Sequence, residues 1–426
     1  MTALREWLNR LNRQLPVVKI PRIRFGSEAG RPRQTSPVAT YYLVIIPALV
    51  LMIFGLVMGF SAQAVTNIAD GENPYVAYLR PLGIILAAMV LAAGVQVLPP
   101  SLIKKATIPL FAFALVFQSL VATPLGIAEG GNANWVKLPG LPIVQPSELL
   151  KLALVLMLAQ TLSYQGARLT DLKQMGVRAG APLALGVGAI MLGHDMGTAM
   201  VAAVAALGTM WVAGLPGKWF AGIGAVAFPT LIVVAMTNPT RMRRIAAVLP
   251  WNGRERNLSA PEQIDHSLWA LGSGGLTGLG PGASREKWDY LQAAHTDFIL
   301  AIIGEEFGLL GTLAVVVCLG LLIWGMVRVC QEAQNAYASI TAGGIATWIG
   351  IQACINIMSV TEIGPVIGVP LPLVSYGGSS FIFTALAVGV VGAFARDRAG
   401  MWMIGRPDES SAGRDPRVLP KRRKAR

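Results

Sequence analysis

Four short runs in this chain combine residue types that can do chemistry. The run Ala294-His295-Thr296-Asp297-Phe298 places a carboxylate at the edge of a long apolar stretch. A carboxylate at a water interface can take a proton from a hydroxyl as a general base. An aspartate there can also cap a helix N-terminus, and spacing alone does not choose between the two. Glu305 and Glu306 lie about two turns further along the same stretch, where acids are expected to face the interior and be paired. Gln145-Pro146-Ser147-Glu148-Leu149-Leu150-Lys151 reads as a helix start, with Pro146 in the first turn. Glu148 and Lys151 share one face of that helix. They are either an internal pair that makes both charges tolerable or part of a substrate site. His194-Asp195-Met196-Gly197-Thr198 reads as a polar turn with a helix cap, or as a second carboxylate at the same interface. Pro370-Leu371-Pro372, followed by Ser375-Tyr376-Gly377-Gly378-Ser379-Ser380, predicts a broken helix start. Irregular backbone at membrane depth is tolerated only where protein or a cavity covers it. Helix packing through small residues is the plainer reading of the same run.

These runs sit in a chain that is apolar almost throughout. Hydrophobic residues make up 54% and charged residues 13%, against about 25% charged in ordinary soluble domains. The mean hydropathy is +0.57. These values exclude a disordered chain, a collagen, a disulfide scaffold and a conventional soluble enzyme. The apolar runs do not alternate as barrel strands do, so an all-α polytopic membrane protein is expected. A span needs about 20 mostly apolar residues, and about ten such runs are present. They lie near Tyr42 to Ala62, Leu79 to Leu98, Ile108 to Thr123, Ser147 to Leu162 and Ala179 to Leu192. The others lie near Thr198 to Val212, Trp219 to Met236, Phe298 to Val327, Ile340 to Met358 and Leu373 to Phe394.

Loop charge orients these spans. Lys104, Lys105, Arg168, Lys173, Arg178, Lys218 and Arg328 all fall in alternate loops. The positive-inside rule then puts both termini in the cytoplasm. Residues 1–40 and 397–426 read as basic cytoplasmic tails, expected to be disordered, around a membrane domain over 41–396. The net charge of +13 is concentrated in these tails and in one outer loop. No groove-reading motif accompanies it, so anionic lipid headgroups and not nucleic acid are the expected partner. The large outer loop, 238–297, between the seventh and eighth spans, breaks the charge pattern. It holds Arg241, Arg243, Arg244, Arg254, Arg256, Arg285 and Lys287. An anionic ligand such as a lipid pyrophosphate would explain them, and so would a solvated loop beside headgroups. Cys318, Cys330 and Cys354 form no CxxC pair and read as small buried apolar residues. The three histidines form no zinc-ligand set, and no metal site is read.

Taken together and in order, these motifs resemble the SEDS family of bacterial membrane proteins (shape, elongation, division and sporulation). The resemblance adds Asp195-Met196-Gly197-Thr198-Ala199, Gly272-Ser273-Gly274-Gly275-Leu276 and Gly304-Glu305-Glu306 to the runs above, and extends from about Tyr42 to Arg396. The run Gly282-Ala283-Ser284-Arg285-Glu286-Lys287-Trp288 is similar to the division branch in actinobacteria, more than to the elongation branch. The resemblance implies a peptidoglycan glycosyltransferase that polymerises lipid II at the outer face of the cytoplasmic membrane, at the septum. Expected partners are an undecaprenyl-pyrophosphate-linked glycan strand, a class B penicillin-binding protein and other division proteins. The family's essential acid maps onto Asp297, the proposed general base. Its fourth-helix acid and lysine map onto Glu148 and Lys151, with Glu148 orienting Lys151. Lys151, Arg243 and Arg244 are the candidates to stabilise the pyrophosphate. His295, Ser375 and Ser379 are further substrate-binding candidates, and Asp195, Glu305 and Glu306 are expected to be structural. A divalent cation, Mg or Mn, could accompany the pyrophosphate, although no ligand set demands one. Three positions depart from the family pattern: Asn134 stands where an Arg is frequent, His194 where a Pro is frequent, and Glu362 is an unusual acid. A lipid II flippase and a non-catalytic division scaffold are the rival functions. The flippase predicts an alternating-access path with charges leading to both faces, and the scaffold predicts a dispensable Asp297.

Overall fold

A computed structural model describes residues 36–129, 132–140, 142–163, 172–236, 242, 262–288, 291 and 296–401. Most of both tails, together with Arg243, Arg244 and His295, lies outside these residues. Each apolar run forms a helix. The first five are α1 (Pro37–Ala69), α2 (Leu79–Gln96), α3 (Pro100–Ser119), α4 (Pro146–Leu162) and α5 (Ala181–Met191). They continue as α6 (Met196–Val212) and α7 (Gly217–Met236). A shorter α8 (Gln263–Gly274) lies within the large loop, and α9 (Ile299–Glu332), α10 (Ala336–Val360) and α11 (Ser379–Arg398) complete the order. Apart from α8, these are the expected spans. Among the described residues, six are long and apolar enough by themselves to cross a membrane: α1, α2 and α3 with their flanking turns, α9, α10 and α11.

Small residues let the helices approach. A Cβ on Gly389 of α11 would lie 2.6 Å from the Ala92 carbonyl oxygen of α2, and one on Gly325 of α9 would lie 2.8 Å from the Leu43 carbonyl oxygen of α1. This is how helices pack where lipid removes the hydrophobic drive between them.

Three features depart from the expected pattern. A hairpin joins α3 to α4, with β1 (Gly126–Glu129) antiparallel to β2 (Asn132–Val136) and a bulge between Ile127 and Ala128. Next, α11 begins at Ser379, later than Leu373, because Leu373 and Gly378 take left-handed φ values of 62° and 52°. Finally, α9 is broken at Gly308, where φ is 66° and ψ is −162°. The break frees the Glu305 and Glu306 carbonyls, which accept the Leu279 and Gly280 N–H groups at 2.9 and 3.0 Å. In exchange the Leu309 and Leu310 N–H groups donate to the Gly275 and Leu276 carbonyls at 2.9 and 3.2 Å. The segment after α8 is thereby laid against the broken helix, and the large loop has a fixed floor.

A Cβ at position 308 would stand 2.5 Å from the Gly278 nitrogen. Gly308→Ala is therefore expected to destabilise the fold by at least about 1–3 kcal/mol, the usual cost of such backbone strain. A lower thermal midpoint of the detergent-purified protein is the check.

Candidate functional site

The starts of α4, α6, α9 and α11 meet at the end of the bundle that loop charge assigns to the outside. Pro146 opens α4 and Glu148 lies in its first turn, where the helix dipole favours an acid. Just ahead of it, the Gln145 N–H donates to Ser379 Oγ at 2.9 Å, joining α4 to α11. The Gln145 side-chain amide donates to Asp195 Oδ2 at 3.3 Å. Asp195 caps α6 through its other oxygen, which accepts the Thr198 N–H at 2.9 Å. Both Asp195 oxygens are thus engaged.

Asp297 stands in the turn that leads into α9. Its position is fixed through the backbone on both sides. The Ser375 hydroxyl donates to the Thr296 carbonyl at 2.6 Å and accepts the Leu371 N–H at 2.8 Å. Asn356 Nδ2 donates to the Asp297 carbonyl at 2.7 Å and to the Val369 carbonyl at 2.8 Å. The carboxylate itself lies against Gly368, whose φ is 75°. A Cβ there would be 3.5 Å from Asp297 Oδ2. Ile367, the preceding residue, packs on Gly197 beside Asp195. Residues 367–368 are therefore flanked by two acids. Burial, and secondarily the charge of Asp195, push the Asp297 carboxyl up to about 6. A carboxylate in that range can exchange a proton near neutral pH.

Glu148 and Lys151 are fully buried. Lys151 Nζ lies 2.9 Å from Glu148 Oε1 and donates to Gln352 Oε1 at 3.0 Å. It also sits 5.1 Å from the Trp348 ring centroid. The Gln352 amide in turn donates to the Pro370 carbonyl at 3.0 Å. Lys151 and Asp297 thus attach to the same strip, residues 365–371, at neighbouring points.

Glu305 and Glu306 organise the large loop. Glu305 accepts the Ser284 hydroxyl, and the Arg285 N–H at 2.9 Å. Glu306 lies 2.7 Å from Lys287 Nζ and accepts the Ser61 hydroxyl at 2.9 Å. The ammonium also donates to the Gly282 carbonyl at 2.8 Å. Lys287, counted among the cations awaiting an anionic ligand, is therefore spent inside the protein. The Ser375 hydroxyl likewise both donates to and accepts from backbone, and Ser379 Oγ accepts a backbone N–H.

The three departures also have places. Asn134 lies on β2, and its Oδ1 is buried without a partner among the described residues. His194 has φ 59°, a value that a proline ring excludes. Glu362, also at φ 59°, follows the C-cap of α10, where a left-handed residue ends the helix. Among the described residues no group of three His, Cys, Asp or Glu side chains is placed to hold a metal. Sequence reasoning missed Gln352 and Asn356. Their signal was a pair of amides one turn apart on an apolar helix.

Breaking the buried pair should be costly, because it strands a charge. Lys151→Met or Glu148→Leu alone is expected to lose about 3–5 kcal/mol of stability. The double replacement should recover most of it without recovering activity. Thermal unfolding beside an activity assay separates the two effects.

Comparison with known proteins follows this geometry. The family model for cell cycle proteins of the FtsW, RodA and SpoVE type matches residues 41–399. The probable peptidoglycan glycosyltransferase FtsW of Geobacter sp. (strain M18) is 33% identical over 352 residues, covering 82% of this chain and 95% of that protein. Stage V sporulation protein E of Bacillus subtilis (strain 168) is 34% identical over 364 residues, covering 84% and 97%. Among solved structures, a chain from a peptidoglycan synthase complex that coordinates polymerization and crosslinking superposes with a TM-score of 0.62. It is 26% identical and covers 82% of this chain and 97% of its own. The crystal structure of the rod shape determining protein RodA of Thermus thermophilus gives a TM-score of 0.60 at 25% identity, covering 84% and 97%.

Proposed function

The chain belongs to the FtsW, RodA and SpoVE family of cell cycle proteins, and from that premise we propose that it polymerises lipid II with Asp297 as the general base. It is a multi-pass membrane protein and a peptidoglycan glycosyltransferase. The observation that carries the proposal is a carboxylate at the head of α9, lying against Gly368, with its pKa raised to about 6. In the proposed step the acceptor GlcNAc hydroxyl attacks the anomeric carbon of the MurNAc donor. The new glycosidic C–O bond forms as the C–O bond to pyrophosphate breaks, and the leaving group takes that electron pair. The hydroxyl proton passes to an Asp297 oxygen. Base catalysis of this kind contributes roughly 100- to 10,000-fold.

The negative charge that develops on the leaving pyrophosphate needs cations. Arg243 and Arg244 lie in the segment outside the described residues and remain the candidates from sequence. Lys151, buried in its pair with Glu148, is better placed to hold the strip beneath the site than to meet the phosphates at once. No described residues form a set to hold a divalent cation; a Mg or Mn ion arriving with the pyrophosphate would supply further positive charge. A class B penicillin-binding protein is the proposed partner, since a structural relative comes from a synthase complex that couples polymerization to crosslinking. The division septum is the proposed location, supported by the FtsW name of the Geobacter relative. The basic tails are assigned to the cytoplasmic surface.

Asp297→Asn should fold normally and form no glycan polymer from purified lipid II in the presence of the partner. Wild-type polymerisation by that variant would sink the assignment of Asp297 as the base, whereas no polymer from the wild-type protein, even with the partner, would return the flippase or scaffold reading. For the wild-type protein, activity is expected to be full well above pH 6 and to fall as pH drops through about 6, because only the ionised carboxylate accepts a proton. Asp195→Asn should move this acid limb downward, by less than burial raised it, because the Asp195 charge is the smaller of the two causes.

A further inference from the structure

One face of α10 carries a polar stripe that membrane burial alone does not explain. Gln352, Asn356 and Ser359 are spaced at helical intervals on that face, and Gln352 and Asn356 are fully buried. Each of the three takes a carbonyl of the non-helical strip that precedes α11. The Ser359 hydroxyl donates to the Pro365 carbonyl at 3.0 Å. Asn356 Nδ2 donates to the Val369 carbonyl at 2.8 Å, and Gln352 Nε2 to the Pro370 carbonyl at 3.0 Å. Two of the three also reach a site residue. Asn356 spends its second amide hydrogen on the Asp297 carbonyl at 2.7 Å. Gln352 Oε1 accepts from Lys151 Nζ at 3.0 Å and from Trp348 Nε1 at 2.8 Å.

We propose that Asn356 is a positioning residue for glycosyl transfer: it ties the peptide of Asp297 to that of Val369 and so sets where the Asp297 carboxylate stands beside Gly368. The inference rests on Asp297 being the base. A primary amide suits the task because it carries two hydrogens on one nitrogen, and here each goes to a different chain segment. A hydroxyl could hold only one of them. The Asn356 Oδ1 is buried and has no partner among the described residues, so the side chain is present for its donors. Amides buried in a membrane are expensive and default to function. Gln352 does the same for the strip and Lys151 one turn away, about 6 Å along the axis. Base and buried cation are thereby hung from one helix face at a fixed spacing. A misplacement of about 1 Å can cost about 100-fold in rate, so a tether on the base's own peptide bears on catalysis more than on binding.

The test uses the full-length protein with its class B partner and lipid II as substrate. Asn356→Leu removes both donors at similar volume. It is expected to lower kcat by about 10- to 100-fold while KM stays near the wild-type value. A double-mutant cycle supplies the readout that a merely structural role would not move. Asp297→Glu displaces the carboxylate by a methylene, and its penalty should shrink in the Asn356→Leu background, where the base is no longer held. If Asn356→Leu does not fold, Asn356→Asp keeps the size, offers at most one donor and is judged by the same criteria. Wild-type kcat, or a kcat loss that is strictly additive with Asp297→Glu and tracks a fall in thermal midpoint, overturns the inference. Activity in Asp297→Asn would instead sink the base assignment on which it rests.

Discussion

Backbone that leaves a helix inside a membrane has no water to bind, and every freed N–H and C=O has to be met by protein. The strip from Thr361 to Gly378 is such backbone, between two long helices and beside the proposed base. Its carbonyls are met by Ser359, Asn356 and Gln352 from α10, and its Leu371 N–H by the Ser375 hydroxyl. The donors that satisfy the strip also hold Thr296 and Asp297. Placement of the carboxylate is therefore a by-product of solving the solvation problem of a broken helix start. The order of causes runs from two prolines and two glycines, through unpaired carbonyls, to a set of buried amides that a site can lean on.

The same constraint shapes the other side of the site. Gly308 breaks α9, and the carbonyls it frees are taken by the segment after α8. That segment needs its own anchor, and Glu305 and Glu306 provide it from the broken helix itself. Glu305 receives a hydroxyl and a backbone amide of the loop, while Glu306 takes the Lys287 ammonium. A buried pair of this kind contributes little net stability, since desolvation offsets most of the attraction. Its value is geometric, because it ties Lys287 of the loop to the broken helix that Asp297 precedes.

Much of this was legible in the sequence, and the reason is the solvent. Lipid forces apolar runs into helices, so the spans and their order could be read from hydropathy, and Pro146, Asp195 and the Pro370 run marked where helices begin. Spacing put Glu148 and Lys151 on one helix face but left open whether they pair internally or serve a substrate. The break in α9 was not legible, because a glycine in a transmembrane run is ordinary and only the approach of Gly278 makes Gly308 obligatory. The hairpin at β1 and β2 was hidden by its short length. Gln352 and Asn356 escaped notice because attention went to ionisable groups, while uncharged amides dilute into an apolar helix. Lys287 was read as loop charge because burial is not visible along a chain.

The electrostatics of the two acids complete the picture. Asp195 is bound at both oxygens, by the first turn of α6 and by Gln145. Asp297 is held through its peptide, leaving its carboxylate as the group that faces Gly368. Fixing one carboxylate with hydrogen bonds and burying another near it separates their roles by environment alone, as paired acids in other enzymes are separated. The bound acid supplies a steady negative field. The less committed acid feels that field and its own desolvation, and its affinity for a proton rises. A base needs that affinity to be high enough to take a proton from a sugar hydroxyl, yet low enough to be ionised when substrate arrives. A value near 6 lies between those limits. It is reached by burial and by the neighbouring Asp195 charge.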